Sequence, residues 1–116
     1  MKYLLMIYFD EQALEQKQEA KIMEECSQFT AELQSSGNYL GGDRLHPTST
    51  ATSVRRKDGK RLVTDGPFAE TREQLGGYVL IEAKDLDEAI EIASRVPPGQ
   101  LGTIEVRPVM EYKEPA

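Results

Sequence analysis

The chain has 116 residues (13.0 kDa), 39% of them hydrophobic and 29% charged, with a formal net charge of −6 and a pI near 4.8. That length suits a single domain burying roughly two-thirds of the surface its unfolded form exposes, and the acidic balance repels phosphate backbones, so direct nucleic-acid binding is not expected without a local basic stripe. One cysteine excludes an internal disulfide. No apolar run approaches the roughly 20 residues of a spanning helix, and Met1-Lys2 leads into a run too short and wrongly flanked for a signal peptide, so the expected location is the cytoplasm, with no membrane partner.

Tyr3 to Phe9 is a run of apolar and aromatic residues closed by Asp10-Glu11, short enough for a buried strand. From Gln12 to Ser36 the period changes: Ile22, Met23, Cys26, Phe29, Thr30 and Leu33 recur at three- and four-residue steps, which predicts an amphipathic helix with Cys26 in its core face. Gly37-Asn38 supplies its stop. Tyr39 to Leu45 reads as a second strand, weakened by Gly41-Gly42. Ala51–Arg56 and Lys60–Thr64 flank Asp58-Gly59, whose tolerance of positive φ suits a tight hairpin. The same hairpin holds the one basic stripe, Arg55-Arg56-Lys57 with Lys60-Arg61. Gly77–Ala83 is a further strand. Asp85 offers an N-cap with Glu88 completing a capping box, and Leu86, Ala89, Ile90 and Ala93 form the apolar stripe of a second helix that Pro97-Pro98-Gly99 ends. Thr103–Val109 closes as a strand, with Pro108 pushing its end toward a sheet edge.

The resulting order is strand, helix, two or three strands, helix, strand. It predicts an α+β fold, a ferredoxin-like sandwich of two helices on one face of a mainly antiparallel sheet, in one domain spanning residues 1–110 with a short tail at 111–116. Two helices cover one face only. Residues of opposite parity on the strands need another cover, and a twofold partner is the common solution, so a homodimer is expected.

The most specific string is Asp65-Gly66-Pro67-Phe68-Ala69-Glu70-Thr71-Arg72-Glu73, followed by Gln74-Leu75-Gly76-Gly77. A segment that only joined two strands would be shorter. The string closely resembles the signature of the DGPFAETKE (DGPF) family of YCII-related proteins, with Arg72 where lysine is usual. The likeness extends through Lys2 to Tyr8, Leu45-His46-Pro47 to Arg55, and Val106-Arg107-Pro108-Val109. The resemblance implies a dimeric α/β barrel built from ferredoxin-like domains. It also implies a functional link to extracytoplasmic-function sigma factors, beside which such proteins are often encoded. YCII relatives carry a His and Asp pair associated with catalysis, the His on the first helix; this chain has no His there, and that dyad does not carry over.

His46 is the only histidine, hence the only side chain whose ordinary pKa lets it switch near neutrality. With Asp65 it forms the candidate proton-transfer pair, although Asp65 is equally suited to capping a turn and His46 to an ordinary loop position. Tyr8, Phe68, Glu70, Thr71, Arg72 and Arg107 are candidate ligand contacts. Glu105 would make Arg107 merely structural. No zinc spacing, phosphate loop, dinucleotide fingerprint or nucleophile elbow is present, so neither metal nor cofactor is expected. Three functions follow: a dimeric protein binding a small molecule near the signature loop; a cofactor-free lyase, isomerase or monooxygenase-like enzyme; or a protein-interaction module.

Overall fold

A computed structural model describes residues 1–13, 16–97 and 102–112. In chain order these form β1 (Lys2–Phe9), α1 (Gln16–Ser36), β2 (Tyr39–Arg44), β3 (Thr52–Lys57), β4 (Lys60–Asp65), β5 (Gln74–Glu82), α2 (Leu86–Ser94) and β6 (Gly102–Pro108), with 3-10 turns at Glu11–Ala13 and Thr48–Thr50. Four strands, not two or three, separate the helices. The 3-10 turn takes the first residues of the long helix predicted from Gln12.

Local chemistry sets most boundaries. Gly37 takes φ +79, the Gly37 N–H donates to the Gln34 carbonyl at 3.2 Å and the Asn38 N–H to the Leu33 carbonyl at 2.9 Å, so α1 ends in a Schellman motif. The Asp85 carboxylate accepts from the Glu88 N–H at 2.9 Å and caps α2, while the Glu88 carboxylate reaches back to the Lys84 N–H at 3.3 Å, one residue before the cap itself. Asp58 and Gly59 take φ 51 and 74, the two positive values that a type I′ turn needs. The Pro97-Pro98-Gly99 stop lies partly outside the described residues, as do Lys113 to Ala116 of the tail.

The main sheet has the order β2-β5-β1-β6, all antiparallel, which is the ferredoxin-like sandwich expected. β3 and β4 pair only with each other. Pro108 sits on β6, an edge strand whose outer side needs no ladder donor. Tyr3 and Leu5 of β1 and Ile81 of β5 point to the helices and bury with Phe29 and Leu33 of α1, Ala89, Ile92 and Ala93 of α2 and Val96 just beyond it, and Phe9 is buried as well. The α2 stripe is therefore rotated from the predicted one. Leu86 and Ile90 are exposed, because at about 100° per residue the buried 89-92-93 set leaves them at its margin.

The opposite face carries Leu4, Met6 and Tyr8 of β1, Leu75, Tyr78 and Leu80 of β5, and Thr103, Glu105 and Arg107 of β6, placed side by side by the register. No described element covers it. The molecule is accordingly flat, 52 × 46 × 19 Å, and its radius of gyration of 16.3 Å exceeds the about 13 Å of a compact chain this long. No helix among the described residues is long and apolar enough to cross a membrane.

Candidate functional site

The signature begins where the hairpin ends. Gly66, at φ +98, donates its N–H to the Ala51 carbonyl at 2.7 Å and accepts from Ser53 Oγ at 2.7 Å, which ties the loop to the base of the hairpin. Its far end is stitched to the main sheet: Thr71 Oγ1 donates to the Glu73 carbonyl at 2.6 Å, Thr103 Oγ1 to the Glu73 carboxylate at 3.1 Å, and the Glu11 N–H to Gln74 Oε1 at 3.1 Å. The Glu11 carboxylate in turn accepts from the Thr48 N–H and Oγ1 at 2.9 and 2.8 Å, holding the loop after β2.

The candidate residues are scattered across this frame. Asp65 is exposed at the end of β4 opposite Thr52, and His46 is exposed in the loop after β2. Among the described residues no hydrogen bond or ion pair joins them. Phe68 is 86% exposed, Glu70 and Arg72 lie in solvent, and Thr71 uses its hydroxyl on the Glu73 carbonyl. Tyr8 is half-buried on the open sheet face with its hydroxyl 3.9 Å from Met6 Sδ. Arg107, on the same face, is ion-paired with Glu105.

A cavity of about 470 Å³ lies elsewhere, between α1 and the β1–β5–β2 part of the sheet. Its walls are mainly apolar, including Ile7, Phe9, Phe29 and Val79, with Asp43 and Arg44 of β2 among its polar residues. Two glycines just past the signature shape it. A Cβ at Gly76 would enter the Phe9 ring, and one at Gly77 would stand 3.1 Å from the Asp43 carbonyl oxygen. Gly76 is also where β5 bulges: Ile7 pairs with Gly77 but Tyr8 with Leu75. An isolated glycine in a strand often marks such a bulge or a close approach, and here it marks both.

Charge at the rim is arranged in pairs. Arg44 binds Glu19 of α1 at 2.8 Å, and Tyr78 donates to Asp43 at 3.3 Å. The Asp43 charge, with that hydrogen bond, raises the Tyr78 phenol above its ordinary pKa. Cys26 faces the cavity partly buried and donates to the Pro97 carbonyl at 3.5 Å; burial pushes its thiol up, the Arg44 cation opposing and Glu25 adding to the shift. The cavity itself is not among the candidates that the sequence offers. The only signal was the Gly76-Gly77 doublet, which does not reveal that Phe9 lies across it. No group of His, Cys, Asp or Glu among the described residues could hold a metal ion.

Two comparisons bear on this geometry. The YCII-related domain matches residues 1–113 of the chain. An uncharacterised protein of Rhizobium meliloti (strain 1021) is 37% identical over 119 aligned residues, covering 97% of this chain and 95% of its own length.

Proposed function

The chain belongs to the YCII-related domain family, and from that premise we propose that it acts as a homodimeric binding protein for a small, largely apolar molecule held between α1 and the sheet. The observation that carries the reading is the cavity of about 470 Å³, kept open by glycines at Gly76 and Gly77. Its volume lies within the roughly 300–1,000 Å³ usual for ligand sites, and its mainly apolar walls with a few polar groups fit the usual pattern. An apolar body would lie along Ile7, Phe9 and Val79, and a polar end would reach Arg44 and Asp43. Among the described residues of the walls no nucleophile is paired with a base, so binding fits them better than turnover.

Support for the homodimer is the uncovered sheet face. Leu4, Met6, Tyr8, Tyr78 and Leu80 form an apolar stripe that two helices on the other side cannot shield. At about 25 cal/mol per Å², a typical interface of roughly 800 Å² per partner supplies ample driving force. Sedimentation equilibrium at micromolar protein tests it; a stable 13.0 kDa species would refute the dimer.

Native mass spectrometry of freshly purified protein tests the ligand reading, with 1-anilinonaphthalene-8-sulfonate as a probe. A bound mass or saturable probe fluorescence is expected, lost in Cys26→Phe, which fills the cavity, and kept in Leu80→Lys, which alters only the open face. Retention in Cys26→Phe would place binding elsewhere and overturn the assignment.

A further inference from the structure

The β3–β4 hairpin is an element that its own chain does not explain. It packs substantially against no other described element, and every residue in it except Ser53 is exposed. An isolated two-stranded hairpin is marginal in water. Its cross-strand pairs make matters worse. Arg56 stands opposite Arg61 and Lys57 opposite Lys60, and like charges directly opposite each other destabilise a ladder. None of the five cations Arg55, Arg56, Lys57, Lys60 and Arg61 forms an ion pair or side-chain hydrogen bond among the described residues. Next to the Arg56–Arg61 pair, on the same side, Val54 and Val63 are 66% and 55% exposed. One side of the hairpin is thus an apolar patch followed by a cation pair.

Charge identifies what such a surface fits. Between Thr52 and Asp65 five cations face two carboxylates, a net +3, which leaves −9 for the rest of a chain whose total is −6. A nucleic acid attracted to the hairpin would be repelled by the body behind it. A second copy offers carboxylates on α1 and α2 and along the sheet margins, at Glu73, Glu82 and Asp43, together with the apolar stripe of the open face. Six residues per strand give the hairpin a reach of about 20 Å, enough to cross the edge of a neighbouring sheet.

We propose that the β3–β4 hairpin is a basic arm that docks on the carboxylate-rich body of a second copy of this chain, Val54 and Val63 meeting apolar surface while Arg56 and Arg61 on the same side, and Lys57 and Lys60 beside the turn at the tip, meet acids. This rests on the homodimer proposed above and adds the element that clasps it. The arm cations cancel part of the body's negative charge across the interface, so the clasp weakens with salt.

The test uses the full chain. Sedimentation equilibrium is run at low and high salt on the parent, on the Arg56→Glu/Arg61→Glu double variant, and on Arg56→Gln/Arg61→Gln, which removes charge without reversing it. Circular dichroism melting verifies that each folds. Equal mixtures of ¹⁴N- and ¹⁵N-labelled parent are also cross-linked with a carbodiimide, so that peptides joining two copies show mixed labels. The expected results are a dimer that weakens with salt, a dissociation constant raised about tenfold or more in both variants, and mixed-label peptides linking Lys57 or Lys60 to an Asp or Glu of the other copy. A parent dimer whose constant is unchanged in both variants overturns the arm while leaving the dimer standing. A parent that never dimerises overturns both. Binding of a labelled duplex by the parent, lost in the variants with dimerisation unaltered, assigns the arm to nucleic acid and overturns the proposal.

Discussion

Gly76→Ala is the sharpest perturbation the fold offers, because two effects of opposite sign meet at one atom. Gly76 does not occupy the left-handed region, so alanine is compatible with its backbone and, by restricting the unfolded chain, would stabilise by about 0.4–1 kcal/mol if space allowed. Space does not allow it. The new Cβ falls within the edge of the Phe9 ring, with Cδ1 at 3.0 Å and Cε1 and Cζ closer still. Phe9 is itself buried, so its ring can yield only toward the cavity. Overpacking of this kind costs about 1–3 kcal/mol, which outweighs the entropic gain in most of that range. For a domain of this size the net loss corresponds to roughly 2–10 °C in melting temperature. Phe9→Leu removes the obstructing ring edge, so the double variant should recover part of the loss, with a coupling of about 0.5–3 kcal/mol in a double-mutant cycle. The displaced ring also occupies cavity volume, so Gly76→Ala alone should retain less bound molecule in native mass spectrometry. Melting within a degree of the parent, or strict additivity with Phe9→Leu, would refute the close approach of Gly76 to Phe9 and with it the shape argument for the cavity.

Leu33, 1% exposed between α1 and the sheet, should cost about 2–5 kcal/mol when truncated to alanine, whereas Leu62→Ala on the exposed hairpin should stay within about 0.5 kcal/mol in chemical denaturation. Cys26 should react slowly with a thiol reagent in native buffer and rapidly once denaturant is added; its rate should climb only above the pH at which an ordinary thiol ionises, and more slowly still in Arg44→Met, which removes the opposing cation. The linked stability has a definite sign: burial raises the folded-state pKa, so the contribution is complete below the unfolded value and is lost as pH rises through the folded one, which urea midpoints measured across the alkaline range would detect. Gly59→Val forces a β-branched residue to φ +74 at a cost of about 1–3 kcal/mol; arm amides should exchange faster in the variant, and in the parent their exchange should slow as protein concentration rises. Concentration-independent exchange would contradict docking of the arm.

What could be read from sequence and what could not divides along the range of the interactions involved. The Asp58-Gly59 turn, the Asp85 cap and the Gly37 stop are decided within a few residues, so residue type alone indicates them. The parity of Tyr3, Leu5, Ile7 and Phe9 is likewise local, and from it follow both the buried face of β1 and the existence of an uncovered opposite face. The departure of β3 and β4 from the main sheet is not local. β2 continues directly onto β5, with the Leu45 N–H donating to the Gly76 carbonyl at 2.8 Å, and once that ladder forms the intervening hairpin is left outside it. Nothing within 52–65 states that outcome. The rotation of α2 that exposes Leu86 and Ile90, and the crossing of Phe9 over Gly76, similarly depend on partners remote in the chain.

The same division gives the signature a physical role that does not require its side chains to perform chemistry. At its start, Gly66 fastens the base of the arm through Ala51 and Ser53; at its end, Glu73 and Gln74 fasten the entry of β5 to Thr103 and Glu11, immediately before the glycines that shape the cavity. Most of the bonds that do this involve backbone groups or side chains satisfied by backbone, which accounts for Phe68, Glu70 and Arg72 standing in solvent while the segment around them follows a defined course. The segment spans the gap between the base of the β3–β4 hairpin and the glycines that shape the cavity. Its length, longer than a strand connection requires, follows from having to reach both.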